Sequence, residues 1–432
     1  MFSTSNKIIM IDDSEKDLHD LSAIFSNKGI GCRTFIYDSF YSEPLKGVRV
    51  LFIDINLNGG KSDQERNAIL QDALIRYVHE DNGPFVLVLW TNHVEWIANF
   101  KEYINRGLNT DIAKRWPYYI THIDKAEFYN PENSLEDKVR QIFDTPIVSM
   151  LSDFEETMSS SIDRTISQIL SIIPHDTLWG EDEVFTVNAQ KIFSTIAIQT
   201  VGYNFAKENP DKAIRESMIP VFCNSFLNHE NNIWNNNLSL LRDSRNQDEV
   251  CFPEGFNEAK LNNIFNIDFR HEGKIEDRGA VCPILDTNDL FQDKFNCKYC
   301  DWFNHTFPGL TKNERNESIL IGVEFSAACD FSQKKKRTNK YLLGAILPMS
   351  TLQKIQESKN KGDYLLILPY KFDIDGSDMF IAFNLNYSFT LPQSLKNKIL
   401  GLPKFCFKKE MMDMIGNKYA NHISRIGITT FR

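Results

Sequence analysis

An apolar run that stops abruptly at a carboxylate constrains the fold of this chain more than any other stretch. The segment VRVLFIDINLNGG covers Val48–Gly60, and its hydrophobic residues end at Asp54, before a polar turn. Short, continuously apolar runs are typical of strands that are buried on both faces of a parallel sheet. Because ligands bind beyond the carboxyl ends of such strands, the position of Asp54 predicts a functional edge of the sheet.

Similar apolar runs recur through the first third of the chain, and helical patterns separate them. The predicted strands are 7–11, 34–37, 48–53, 84–90 and 117–120, and the predicted helices are 17–25, 67–78 and 94–104. Strands that alternate with helices predict a doubly wound α/β domain with a parallel sheet. We assign this domain to residues 1–145.

Polar residues follow the predicted strands and form a coherent chemical set. We expect Asp12, Asp13, Asp54, Thr91 and Lys125 to gather at the carboxyl edge of the sheet. Three adjacent carboxylates repel one another unless a cation neutralises them, and carboxylate oxygens are ligands that Mg²⁺ prefers. A lysine and a threonine hydroxyl at the same edge would hold the oxygens of a phosphoryl group. The set predicts a magnesium site at which a phosphoryl group moves onto a carboxylate.

These residues make the first 130 positions or so resemble the receiver domain of two-component response regulators. The family's acidic pair matches Asp12 and Asp13, and its phosphoacceptor matches Asp54. Its Thr or Ser after strand four matches Thr91, and its Lys after strand five matches Lys125. The resemblance implies that a histidine kinase or phosphotransfer protein phosphorylates Asp54 with Mg²⁺, and that the surface around strands four and five switches.

The chain departs from the receiver pattern in several places. The stretch between Thr91 and Lys125 is long, Ala126 replaces the usual proline, and His122 stands near the usual aromatic switch position. The form VLWTNH at 88–93 resembles a divergent receiver subgroup that accompanies bacterial conflict and phage-defence genes, which implies a role in antiviral defence. A non-enzymatic pseudo-receiver scaffold therefore stays an alternative. A separate, purely structural interpretation is that the acidic pair only caps the first helix and Asp54 is a turn residue.

Residues 146–245 are predicted to be a helical linker or bundle. Between Pro146 and Pro174 apolar residues recur every three or four positions, which is typical of an amphipathic helix. This face is either the core side of a bundle or a seam for a homodimer through the 147–173 helix, which would transmit the state of the receiver. Further helices are predicted at 188–207 and 211–228, with a loop at 229–237.

Residues 246–432 are predicted to form a mostly β (α+β), barrel-like output or sensing domain. Short apolar runs at 319–325, 341–347, 364–369 and 379–384 are separated by polar turns, and a helix follows at 409–425.

A cysteine pair in this region predicts a possible zinc site. Cys297 and Cys300 are two residues apart and His305 follows, which is a spacing that allows ligands to share one tetrahedral Zn²⁺. Ordinary thiols or redox chemistry are the alternatives.

A second constellation surrounds a basic loop. Glu324, Cys329, Asp330 and Gln333 are expected to line a pocket, and the lysines and arginine at 334–340 would attract a phosphate-bearing ligand. The alternative is a solvated hairpin. Arg278-Gly279 before a strand, with paired strands around the loop, is faintly similar to the small barrel of MazF-type ribonuclease toxins. This likeness implies a regulated RNA nuclease as an alternative function.

Composition limits the remaining classes. A net charge of −10 argues against a generally nucleic-acid-coating surface, although it leaves a local basic site open. No apolar run approaches the roughly 20 residues that span a bilayer, so no membrane partner is expected. The N-terminal residues do not have the pattern of a signal peptide, and the eight cysteines are expected to be reduced thiols. We therefore expect a cytoplasmic protein.

Overall fold

The computed structural model divides the chain into two compact units. It describes residues 7–27, 29–59, 62–106, 110–128, 146–174, 183–228, 234, 238, 243–245, 252–269, 273–326, 338–358, 362–392 and 396–424. The first unit comprises Met1–Thr157 with Asn231–Leu238, and the second comprises Met158–Glu230 with Ser239–Arg432. The predicted boundaries after residues 145 and 245 stay predictions.

A parallel five-stranded sheet forms the centre of the first unit. Its strand order is β2-β1-β3-β4-β5, which is the doubly wound order with one switch point beside β1. Every residue of β1, β3 and β4 is buried, because helices cover both faces of the central strands. The predicted α/β class is confirmed. The strands are β1 Ile8–Asp12, β2 Arg33–Ile36, β3 Val50–Asp54, β4 Phe85–Thr91 and β5 Pro117–Asp124.

Helices pack on the two faces of this sheet and create two cores. On one face Leu18, Leu21 and Phe25 of the first helix lie against the strands, and on the other face Leu70 and Leu74 do so. The helices are α1 Glu15–Asn27, α2 Asp63–Tyr77, α3 Trp96–Arg106, α4 Thr110–Ala113 and α5 Lys125–Phe128.

The long helix α6, Pro146–Ser171, is anchored to the first unit near its start. Val148 is buried in the core that α1 also covers. The Glu155 carboxylate accepts hydrogen bonds from Arg49, Nη2 to Oε1 3.0 Å, and its Oε2 lies 3.0 Å from Lys7 Nζ. Both basic residues directly precede strands, so Glu155 lies near the amino ends of β1 and β3.

The predicted apolar face of α6 is largely exposed. Its buried side is polar, with Thr157, Ser161 and Thr165 among the buried residues. The interpretation of the stripe as the core side of a bundle is therefore wrong for most of it, while the homodimer stays a proposal. The exposed members are between 37 and 45 % accessible: Ile147, Leu151, Phe154, Met158 and Ile166.

Three helices of the second unit pack together. They are α7 Glu183–Val201, α8 Tyr203–Glu208 and α9 Pro210–Leu227. The predicted helix over 188–207 is divided because Gly202 adopts a φ of 84°, a left-handed conformation that ends the first segment. None of the helices in the described ranges is long and apolar enough to cross a membrane.

The C-terminal region contains a seven-stranded antiparallel half-barrel, which confirms the predicted mostly β class. Its strand order is β10-β11-β9-β8-β7-β12-β6. The four predicted apolar runs correspond to β8, β9, β10 and β11. Strand β11 continues to Leu391, and a register shift after Phe383 separates its two halves. The strands are β6 Ile267–Asp268, β7 Ala280–Pro283, β8 Ile319–Glu324, β9 Asn339–Pro348, β10 Leu365–Ile374, β11 Ser377–Leu391 and β12 Phe405–Phe407.

Helices fill both faces of the half-barrel. Phe291, Trp302 and Phe303 pack on one face, while Met411 and Ile415 of the last helix pack on the other. The helices are α10 Glu258–Asn266, α11 Thr287–Phe295, α12 Tyr299–Thr306, α13 Lys312–Asn316, α14 Leu352–Gln356, α15 Lys396–Ile399 and α16 Lys409–Ile423.

Helix α10 contacts both edge strands of the half-barrel, β10 and β6. The side-chain amide of Asn262 donates to the carbonyl of Lys371 at 3.0 Å. The amide of Asn263 donates to the carbonyl of Asp373 at 2.7 Å. These two bonds satisfy backbone acceptors on the outer side of β10.

Candidate functional site

The carboxyl edge of the parallel sheet gathers the polar residues that the sequence placed there. Asp12 ends β1, Asp54 ends β3, Thr91 ends β4 and Lys125 directly follows β5. One carboxylate oxygen from each of Asp12, Asp13 and Asp54 lies within 4.8 Å of the others. In the described part of the chain this is the only such group of three acidic, histidine or cysteine side chains.

The Lys125 ammonium lies at the centre of this edge. Its Nζ lies 2.7 Å from Asp12 Oδ2, 2.8 Å from Asp17 Oδ2 and 3.0 Å from Asp54 Oδ2. Only 3 % of the residue is exposed, and the Trp90 ring lies 5.7 Å from Nζ. An ammonium group has three N–H donors, so these three carboxylates match its full donor capacity.

Backbone amides orient the carboxylates. The amide of Ser14 donates to Asp12 Oδ1 at 2.9 Å, and that of Asn56 donates to Asp54 Oδ1 at 3.2 Å. The amide of Asn58 donates to Asp13 Oδ2 at 3.0 Å. Asn58 has a φ of 55°, a left-handed conformation that asparagine tolerates better than most residues. The turn after β3 therefore orients the carboxylate of Asp13, which lies in the loop after β1.

Burial shifts the acid–base properties of the site. It raises the pKa of Asp12 from 3.8 to about 6, although bonds from Lys125 and Ser14 oppose the rise. Burial also raises the pKa of Asp54, against the opposing charge of Lys125. Burial alone would lower the pKa of Lys125, but Asp54, Asp12 and Asp17 raise it above the ordinary value. The edge is short of positive charge.

Thr91 is completely buried at the end of β4. Its Oγ1 accepts a hydrogen bond from the amide of His93 at 2.9 Å, which leaves the hydroxyl hydrogen to point elsewhere. His122, near the predicted switch position, is exposed on β5. Thr91 thus lies at the same edge of the sheet as Asp54, while His122 is exposed.

The donor set fits Mg²⁺. Three carboxylates supply hard oxygen ligands from two strand ends and one loop, with other positions open for water or a phosphoryl oxygen. One member of the site escaped the sequence prediction. Asp17 looks like any acidic residue that favours the positive end of a helix, and only its distance to Lys125 reveals its place.

The predicted zinc ligands are not brought together. Cys297 precedes α12 and is half-buried, while Cys300 and His305 are exposed on that helix. The ring of His305 stacks on Tyr364 with centroids 5.8 Å apart. These three residues form no group of ligand atoms within 4.8 Å, so the described structure does not support a zinc site.

Glu324 is fully buried at the end of β8. Its carboxylate accepts bonds from the Ser326 amide at 3.2 Å, from Asn339 Nδ2 at 3.2 Å and from the Ser326 hydroxyl. These bonds join the facing ends of β8 and β9. Cys329, Asp330, Gln333 and the basic residues 334–337 lie outside the described residues, so the predicted pocket stays a prediction.

Comparisons with known proteins give little further guidance. No family model matches the chain, and no curated protein matches it either. Among solved structures, the crystal structure of NtrX from Brucella abortus in complex with ADP is 16 % identical in sequence. The match covers 50 % of this chain and 40 % of that chain, with a TM-score of 0.21. A score of this size does not indicate a shared fold.

The strand order and the side chains of the first unit are more informative. A parallel sheet in the order 2-1-3-4-5 carries an acidic cluster at its carboxyl edge, beside a buried lysine and a buried threonine. This arrangement fits a receiver domain.

Proposed function

We propose that the first unit is a phosphorylation-dependent signalling domain in which Asp54 accepts a phosphoryl group from a partner histidine kinase or phosphotransfer protein. The observation that supports this most strongly is the convergence of Asp12, Asp13 and Asp54 on one small space beside the buried Lys125 ammonium. Catalysis of phosphoryl transfer consists mainly of positioning and charge neutralisation, and this edge supplies both.

Each residue has a defined role in the proposal. A bound Mg²⁺, held by Asp12, Asp13 and Asp54, would supply the positive charge that the edge lacks. A carboxylate oxygen of Asp54 attacks phosphorus while the bond from phosphorus to the donor breaks. Lys125 and the Thr91 hydroxyl donate hydrogen bonds to oxygens of the transferred group.

The proposal extends to the relay of the signal. Helix α6 is fixed to the first unit by Val148 and by the ion pairs of Glu155, and its last residues belong to the second unit. We propose that it transmits the state of Asp54 to the C-terminal domain, and that its exposed apolar stripe makes a homodimer. A setting in antiviral defence follows only from the resemblance of VLWTNH at 88–93.

The test is the intact mass of the full chain after incubation with acetyl phosphate and Mg²⁺. We expect a phosphoryl adduct of about 80 Da in the natural protein and none in Asp54→Asn. Asp38→Asn, which changes an exposed carboxylate outside the cluster, is the matched control and should keep the adduct. The proposal is wrong if the natural protein forms no adduct and binds no beryllofluoride, or if Asp54→Asn is modified equally. Either result would favour a pseudo-receiver scaffold.

A further inference from the structure

Two of the three carboxylates that contact Lys125 are also candidate metal ligands. Asp12 and Asp54 belong to the cluster within 4.8 Å, whereas Asp17 does not. Oδ2 of Asp12 and Oδ2 of Asp54 accept the bonds from Lys125 Nζ. The ammonium and a divalent cation therefore compete for the same two carboxylates.

Like charges close together repel strongly in a buried site. A cation held by the cluster would repel the Lys125 ammonium, which contacts Asp12 and Asp54. The side chain of Lys125 is only 4 % exposed, so the displaced ammonium has little access to water. A buried charge without a partner is strongly unfavourable. The free-energy cost of moving the ammonium away from Asp12 and Asp54 therefore depends on whether another carboxylate is within reach.

Asp17 is that acceptor. Its Oδ2 lies 2.8 Å from Nζ, and its side chain is 20 % exposed. The first turn of α1 is fixed because the Ser14 hydroxyl accepts a hydrogen bond from the Asp17 amide at 3.3 Å. The carboxylate therefore lies on the first turn of α1, beside the cluster without being part of it.

We propose that Asp17 is a positioning residue that keeps Lys125 paired while the cation and the phosphoryl group occupy Asp12 and Asp54, and that it thereby sets the affinity for the divalent cation. This inference rests on the proposed function of the same site. Without Asp17 the ammonium stays on the metal ligands, and the cation must displace a lysine that has no other partner among these carboxylates.

The experiment measures the dissociation constant for Mg²⁺ of the full chain by calorimetry. We expect Asp17→Asn to weaken binding about fivefold, which corresponds to about 1 kcal/mol. Glu15→Gln removes an exposed charge from the same helix and should change binding less than twofold.

A double-mutant cycle separates an action through Lys125 from a general effect of charge. In a Lys125→Met background, Asp17→Asn should change the dissociation constant by less than twofold, because no ammonium remains to be positioned. Asp17→Glu keeps the charge and should bind Mg²⁺ more tightly than Asp17→Asn does. It also provides the test if Asp17→Asn does not fold.

The outcomes distinguish the inference from the function on which it rests. If the natural protein binds neither Mg²⁺ nor beryllofluoride, the proposed function fails. If it binds Mg²⁺ but Asp17→Asn behaves like Glu15→Gln, the role of Asp17 alone is refuted. An equal loss in the natural and Lys125→Met backgrounds refutes it as well.

Discussion

Ionised Asp12 should destabilise the protein in the absence of a metal. Burial raises its pKa from 3.8 to about 6. One pKa unit corresponds to about 1.4 kcal/mol, so ionising this residue in the folded protein costs about 3 kcal/mol more than in the unfolded chain. Asp12 is 1 % exposed, so solvent screening reduces this value little. Asp12→Asn should therefore raise the free energy of unfolding at pH 7.5 by about 2 to 3 kcal/mol.

The pH dependence has a definite sign. The folded protein binds the Asp12 proton more tightly than the unfolded chain does, so this group contributes stability at low pH that is lost as the pH rises from about 4 to about 6. At pH 4 the natural acid is already neutral in the folded protein. The stabilisation by Asp12→Asn should consequently be near zero there and reach its full size above about pH 7.

The assay is calorimetry of the full chain in EDTA at pH 4 and at pH 7.5. Asp13→Asn is the control, because that neighbouring carboxylate is exposed and should change stability by less than about 0.5 kcal/mol. Excess Mg²⁺ should stabilise the natural protein and have much less effect on Asp12→Asn. Equal stability of Asp12→Asn and the natural protein at pH 7.5, or the same gain at both pH values, would refute the reasoning.

Three further substitutions, one of them with a control, test other contacts. Lys125→Met leaves buried carboxylates without a cation and should lower the free energy of unfolding in EDTA at pH 7.5 by about 3 to 5 kcal/mol, measured by urea denaturation, with a smaller loss at pH 5. Glu155→Gln removes two partly exposed ion pairs. Hydrogen exchange should show that the free energy of local opening in the first turns of α6 falls by about 1 kcal/mol or less, while that of the strands is unchanged. Gly279→Ala places a Cβ 2.7 Å from the Phe407 carbonyl at a φ of 91°, and calorimetry should show a loss of about 2 kcal/mol or more. Gly416→Ala, in open space on a helix, should instead be neutral or stabilising.

The sequence predicted the parallel sheet and its edge because the physical causes are local. Every residue of β3 is buried, so the strand reads as an unbroken apolar run, and Asp54 marks its end. Thr91 follows from the same pattern, since β4 is also buried throughout. Asp17 does not, because its contact with Lys125 joins residues 108 positions apart and leaves no trace in the local pattern.

The second unit was harder to predict for reasons of length and of burial. Strand β6 has two residues and β12 has three, which is too short to show an alternating pattern. The spacing in α6 predicted a helix correctly but not its buried side, since Ser161 and Thr165 face inward while Met158 is exposed. Amphipathic spacing identifies a face, and only the tertiary structure shows what covers it.

The two asparagines of α10 have a consequence for how copies of this protein behave when crowded. The outer carbonyls of a β-sheet edge accept hydrogen bonds from any extended chain that approaches, and this is a common route to strand exchange and aggregation. Asn262 and Asn263 already donate to the carbonyls of Lys371 and Asp373. A strand from another molecule must first displace these amides. We therefore expect β10 to resist pairing between molecules at concentrations where an unprotected edge strand would aggregate.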